Sequence, residues 1–144
     1  MDAGPPPISA PALNPASAKI RDAIWAKEQT IYRERGNGNF SYYIQNALPD
    51  YLGWPPTVAK PQRADGLAAT GARLARDSKE VLTMELVDFA LHGDNAVIYY
   101  RTHRTRRPDG TATDEVFENI HVWLRDGADW KLFGAMSRAA PPRP

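Results

Sequence analysis

No cysteine occurs in the 144 residues, which removes disulfide frameworks, thiolate chemistry and cysteine-bound metals. An excess of one charge is also missing. With 18 basic and 17 acidic side chains the formal net charge is +1, so no global field draws the chain to nucleic acid or membrane. No apolar run approaches the roughly 20 residues of a membrane-spanning helix. The N-terminus lacks the charged and apolar regions of a signal peptide. A soluble protein is expected, cytoplasmic or, where a leader has been removed, periplasmic. Histidine is scarce, and His92, His103 and His121 have no metal-ligand spacing, so no metal is expected. Without a glycine-rich phosphate loop or a nucleophile elbow, no cofactor is expected either.

Proline and alanine concentrate at the two ends. Residues 1–15 and 140–144 have little to bury and read as disordered tails around a single domain over 16–139. From Ala16 to Arg35 the pattern is helical, with Ser17 as the expected N-cap. Ile20, Ile24, Ile31 and Tyr32 share a stripe that also holds Ala23 and Glu28, and Gly36-Asn37-Gly38 stops the helix. A short helix is expected over Asn39–Ala47, with Phe40, Tyr43 and Ile44 inward and Pro49 as its terminator. The segment Asp50–Pro56 reads as extended. Arg63–Arg76 reads as a third helix, packing through Leu67, Ala68 and Leu74.

After Asp77 the hydrophobic period changes to two. Strands are expected over Val81–Leu91, Asn95–Arg107, Thr111–Arg125 and Trp130–Ala139. Helices followed by a long antiparallel meander make an α+β arrangement, helices on one face of a curved sheet.

The turn Arg107-Pro-Asp-Gly-Thr111 suits a three-residue hairpin loop with a left-handed glycine; a two-residue Asp-Gly turn would slip the register by one. In the first version Ala96 faces Val122, Ile98 faces Ile120 and Tyr100 faces Glu118. Those residues then form one aliphatic face with a polar centre, suited to a helix-covered cavity. The other face carries Val97, Tyr99, Phe117, His121 and Trp123, a patch too large and apolar for open water and suited to a second copy of the chain. The side taken by Trp130 stays open.

The segments His92–Tyr100 (HGDNAVIYY) and Val122–Ser137 (VWLRDGADWKLFGAMS), behind two or three N-terminal helices, resemble the nuclear-transport-factor-2-like superfamily. The resemblance is greatest to its SnoaL-like branch, which includes polyketide cyclases, ketosteroid isomerase and scytalone dehydratase. Its marks are Gly-Asp-x-Ala at the start of a strand and a Trp-x-x-Asp-Gly-x-x-Trp-Lys hairpin, over about Ala16–Ala139. The resemblance implies a cone-shaped α+β fold, a pocket between helices and concave sheet, and commonly a dimer through the sheet. It places Asp50 near the segment that holds the isomerase's base, whereas Ile120 stands where the isomerase has a protonated aspartate, which argues against steroid isomerisation. Neither the Asp-Arg-Asp set of limonene epoxide hydrolase nor a His-Asp pair inside the pocket is evident.

The expected catalytic residues are Glu118, Tyr100 and Asp50. A carboxylate in an apolar cone has a raised pKa and can move a proton while a tyrosine hydroxyl holds the substrate oxygen. The plainer alternatives are a structural hydrogen bond, or Glu118 paired with Arg101 if the register slips, and backbone capping for Asp50. Tyr43, Trp54, Ile98 and Ile120 are the expected ligand-binding residues, with core or rim packing as the alternative for Trp54. Residues Arg101–Arg107 are basic but face Asp114 and Glu115, so a charge-paired edge is expected there. Two functions follow. One is a protein that binds a small, apolar, oxygenated compound and isomerises, cyclises or dehydrates it without a cofactor; the other is a non-catalytic ligand-binding or dimerisation module.

Overall fold

The computed structural model describes residues 13–73 and 77–141. Of the expected tails over 1–15 and 140–144, residues 1–12 and 142–144 lie outside the described residues, as does the segment 74–76 with Leu74 and Arg76; Leu13 packs against the core and Pro15 opens the first helix.

Helix α1 (Pro15–Gly36) carries proline in its first turn, where the missing N–H costs nothing. Its cap is Asn14, whose Oδ1 accepts the Ser17 amide at 2.8 Å, so Ser17 lies inside the helix and not at its cap. Ile24, Glu28 and Ile31 are its buried positions. The Gly36-Asn37-Gly38 stop holds, with Gly38 at φ 78°, a backbone region that favours glycine. A second short helix, α2 (Ser41–Asn46), starts where Asn39 Oδ1 accepts from the Ser41 amide and hydroxyl. It stops before Pro49, which lies inside strand β1 (Ala47–Trp54). After strand β2 (Gln62–Arg63), helix α3 (Ala64–Arg73) buries Leu67 but leaves Ala68 exposed, contrary to expectation.

The meander follows as β3 (Val81–His92), β4 (Asn95–Arg106), β5 (Ala112–Asp126) and β6 (Asp129–Ala139). Sheet order is β2-β1-β6-β5-β4-β3, with β1 parallel to β6 and every other pairing antiparallel. The helices lie on one side of this curved, unclosed sheet. On the covered side Ile24 and Ile31 meet Ile98, Tyr100, Trp123 and Leu132, all nearly or fully buried.

The β4–β5 turn forms as expected, with the Arg107 amide donating to Thr111 O and the Gly110 amide to Arg107 O. The expected pairing nevertheless fails beyond it. Arg106 faces Ala112, but Arg104 faces Glu115, so Thr113 and Asp114 together oppose Thr105. This β-bulge, one extra residue in β5, turns every later β5 side chain to the opposite face. Tyr100 therefore pairs with Asn119, Arg101 with Glu118 and Tyr99 with Ile120. On β4 the expected faces are right: Ala96, Ile98 and Tyr100 are covered, and Val97 and Tyr99 point outward. On β5 they are inverted: Phe117, His121 and Trp123 lie on the covered side, Glu118, Ile120 and Val122 outside. Phe117, His121 and Trp123 thus leave the expected dimer face.

Trp123 and Trp130 both belong to the core, at 0% and 6% exposure. Burial of each contributes on the order of 3 kcal/mol. Lys27 ties α1 to this end of the sheet, its Nζ donating to Asn46 Oδ1, Asp129 Oδ1 and Trp130 O at 2.7–2.9 Å.

Candidate functional site

A cavity of about 410 Å³ opens between the helices and the covered face of the sheet, within the size range of small-molecule sites. Ile31, Phe40, Val58, Leu67 and Leu82 supply apolar wall, while Tyr32, Tyr43, Tyr51 and His121 bring polar atoms to it.

Behind His121 lies Glu28, with no exposed surface. Its Oε1 accepts two bonds, from His121 Nδ1 at 2.6 Å and from the Trp123 indole N–H at 2.8 Å. With a carboxylate at Glu28, the His121 Nδ1–H donates to Oε1, and Nε2 is the other ring nitrogen. Glu28 Oε2 has no protein partner among the described residues. A buried, half-satisfied carboxylate costs stability, so this is an expensive way to hold a helix on a sheet.

Tyr43 and Tyr100 pack edge to face on the ring, and each is half of a hydroxyl pair. Tyr32 and Tyr100 hydroxyls are 3.0 Å apart, those of Tyr43 and Tyr51 2.8 Å. Tyr100 Oη also lies 3.3 Å from His121 Nε2, a long contact, with the two rings edge to face. Burial, then the nearby Glu28 charge, pushes the Tyr32 hydroxyl up to about 12. Burial likewise raises Tyr100 and Tyr43 well above the ordinary phenol value, and raises Tyr51 as well. All four are therefore neutral hydroxyls, and since one hydroxyl of each pair donates to the other, one proton per pair is left for a ligand oxygen. Gly53 permits one of these positions, because a Cβ there would fall 2.0 Å from the Tyr51 hydroxyl oxygen.

A basic imidazole fixed by a buried carboxylate, beside neutral tyrosine donors in an apolar cavity, can take a proton from a bound molecule while its oxygen receives hydrogen bonds. Among the described residues no group of three or more His, Cys, Asp or Glu could hold a metal ion. No described helix is long and apolar enough to cross a membrane.

No family model and no curated protein matches the chain. Solved structures do. The association domain of Caenorhabditis elegans CaMKII superposes with a TM-score of 0.75 at 15% identity, over 87% of this chain and 99% of that one. An NTF2-like protein from Cytophaga hutchinsonii matches at TM-score 0.64 and 18% identity, over 83% and 98%. An NTF2-like protein of unknown function from Shewanella baltica matches at 0.67 and 12%, over 90% and 100%. The chain has the nuclear-transport-factor-2-like fold. At these identities the likeness carries the fold alone.

Within that NTF2-like fold the expected site residues separate. Tyr43 lines the cavity, Trp54 stands at its rim with its indole N–H on Val58 O, and Tyr100 lies just behind the His121 ring. Ile98 is core beneath the helix and does not line the cavity. Asp50 is exposed on β1, beside the inward Tyr51, and its carbonyl accepts from Arg63. Ile120 is 40% exposed on the outer face. Glu118 is on that face too, where its carboxylate accepts from Arg101 and Arg138; the bulge realised the slipped-register alternative. The basic stretch is charge-paired: Arg104 and Arg107 bond Glu115, and His103 bonds Asp114.

Glu28 was within reach of sequence reasoning. It stands four residues after Ile24 and three before Ile31 on the apolar stripe, where a lone acid needs a buried partner. No signal along the chain names His121, 93 positions away, as that partner.

Proposed function

We propose that the protein binds a small, apolar, oxygenated molecule in the cavity and that His121, held by Glu28, moves a proton on it. The observation that carries this reading is the bond between His121 Nδ1 and the buried Glu28, made by a histidine that lines the cavity. Tyr32 and Tyr51 are the donors for a substrate oxygen that gains negative charge, as in an isomerisation, cyclisation or dehydration through an enolate. Glu118 and Asp50 take no part in this reading, since neither reaches the cavity wall. Proton exchange tests it with a simple surrogate for the substrate. In D2O, cyclic ketones such as 2-tetralone should exchange their α-hydrogens faster with the protein present, as read by proton NMR. His121→Gln should remove that acceleration; undiminished exchange in a folded His121→Gln variant sinks the proposal.

A second reading is supported by the outer face. Tyr99, Ile120 and Met136 lie side by side across β4, β5 and β6, and Trp54 continues the row on β1. Each is 38–50% exposed, and Leu52 and Phe133 flank them. The next row alternates in charge, Glu85, Arg101, Glu118 and Arg138, a pattern that can complement itself in a two-fold contact. We propose that this face joins copies of the chain; the neighbours named as hub or association domains favour assembly. Sedimentation of Ile120→Asp at micromolar concentration should show smaller species than wild type, and a monomeric wild type would end this reading.

A further inference from the structure

The wall of the cavity carries two charged side chains among the described residues, Arg35 and Arg104, and no carboxylate. Their situations differ. Arg104 is engaged through all three nitrogens: Nε and Nη2 donate to the two oxygens of Glu115, and Nη1 donates to Glu80. Arg35 makes no side-chain hydrogen bond among the described residues. Its one ionic neighbour is Glu80 at 3.5 Å, and its guanidinium stands 5.8 Å from the centre of the Tyr32 ring. Glu80 is already shared with Arg104, and Glu115 with Arg104 and Arg107.

The wall therefore holds one guanidinium, near Glu80 but with no hydrogen-bonded N–H among the described residues, beside apolar and hydroxyl-bearing side chains. Arg35 is in the last turn of α1, so part of its charge offsets the helix dipole. That interaction occupies charge but none of the five N–H donors, which match a carboxylate two at a time.

We infer that the ligand is an amphiphilic monocarboxylate, its apolar body in the cavity and its carboxylate on Arg35. The inference rests on the reading of the cavity as a ligand site and narrows it to a class. A neutral polycyclic compound would leave the Arg35 donors to water; a dicarboxylate would place its second charge among apolar walls and buried phenols.

The test uses matched acids and amides, 2-naphthoic acid with 2-naphthamide and decanoic acid with decanamide. Affinity is read by calorimetry on the full chain, and place of binding by NMR shifts of Thr102 and Tyr43. The expected result is an acid favoured on the order of tenfold over its amide, a charge-assisted bond discounted for partial exposure. Arg35→Gln should erase the preference and leave the amide unchanged, and Arg35→Lys should keep only part of it. Acid and amide binding equally, or a preference that survives Arg35→Gln, overturns the role of Arg35 while the shifts at Thr102 and Tyr43 uphold the cavity. If none of the four compounds moves those signals, the cavity reading fails together with the inference.

Discussion

The two faces of the sheet are made from alternate residues of the same strands, yet their polar groups are held in opposite ways. On the covered face Glu28, His121, Trp123 and Tyr100 form a small buried network in which one carboxylate oxygen has no partner among the described residues. On the outer face Glu118 has two arginines and water within reach. The same residue type is costly in one place and nearly free in the other. A functional reading of a carboxylate follows from what its burial demands of its neighbours, and Glu28 meets that standard where Glu118 does not.

The comparison depends on a single extra residue, and removing it should have the largest effect. Deleting Thr113 while keeping the Pro-Asp-Gly turn would swing Glu118 and Ile120 inward and His121 and Trp123 outward. Several large side chains at about 3 kcal/mol each exceed the typical reserve of about 5–15 kcal/mol, so the variant should lose cooperative unfolding in urea and shift tryptophan emission to the red. A folded deletion variant with native emission would show that the bulge does not set the faces.

Glu28→Ala comes next. It orphans the Trp123 and His121 donors in the core and should cost on the order of 3 kcal/mol in urea denaturation. Glu28→Gln keeps the oxygen that accepts from both and should cost clearly less, while slowing any proton transfer through His121. Equal losses for the two variants would mean that volume, not the hydrogen bonds, makes Glu28 matter.

The bulge has its own pH dependence. Glu115 is held down at about 2 by the Thr113 hydroxyl and then by Arg104. A depressed carboxylate stabilises the fold fully above its ordinary value near 4.5 and loses that contribution as pH falls toward about 2. The Glu115 carboxyl carbon should therefore titrate well below the ordinary glutamate value in a carbon-13 NMR series; a midpoint near 4.5 would detach Glu115 from the bulge.

The smallest effects belong to the outer face. Glu118→Gln should change stability by less than about 1 kcal/mol, as exposed ion pairs do, and should leave ligand binding and α-hydrogen exchange as in wild type. A large loss of either would return Glu118 to the site and contradict the observed register.

Much of this molecule is legible along the chain because its causes are local. A period of 3.6 with Ile24, Glu28 and Ile31 in step, a glycine stop at 36–38, and a period of two after Asp77 fix the helices and the meander. The Pro-Asp-Gly turn fixes its own geometry, and β4 shows which of its alternate residues are apolar. Tertiary structure decided the rest. The bulge at Thr113–Asp114 leaves ladder groups unpaired, and what offsets that cost is the burial of His121 and Trp123 against Glu28 and the bonds of Glu115 to Arg104. Those contacts join positions far apart and exist only once α1 lies on the sheet. Short-range propensity therefore favours the unbulged hairpin, and the assembled core favours the one observed. The parallel seat of β1 beside β6 has the same origin, since no local signal in Ala47–Trp54 names the strand it will pair with. The sequence by itself determined the elements and the single acid on an apolar stripe; only packing decided which histidine that acid would hold.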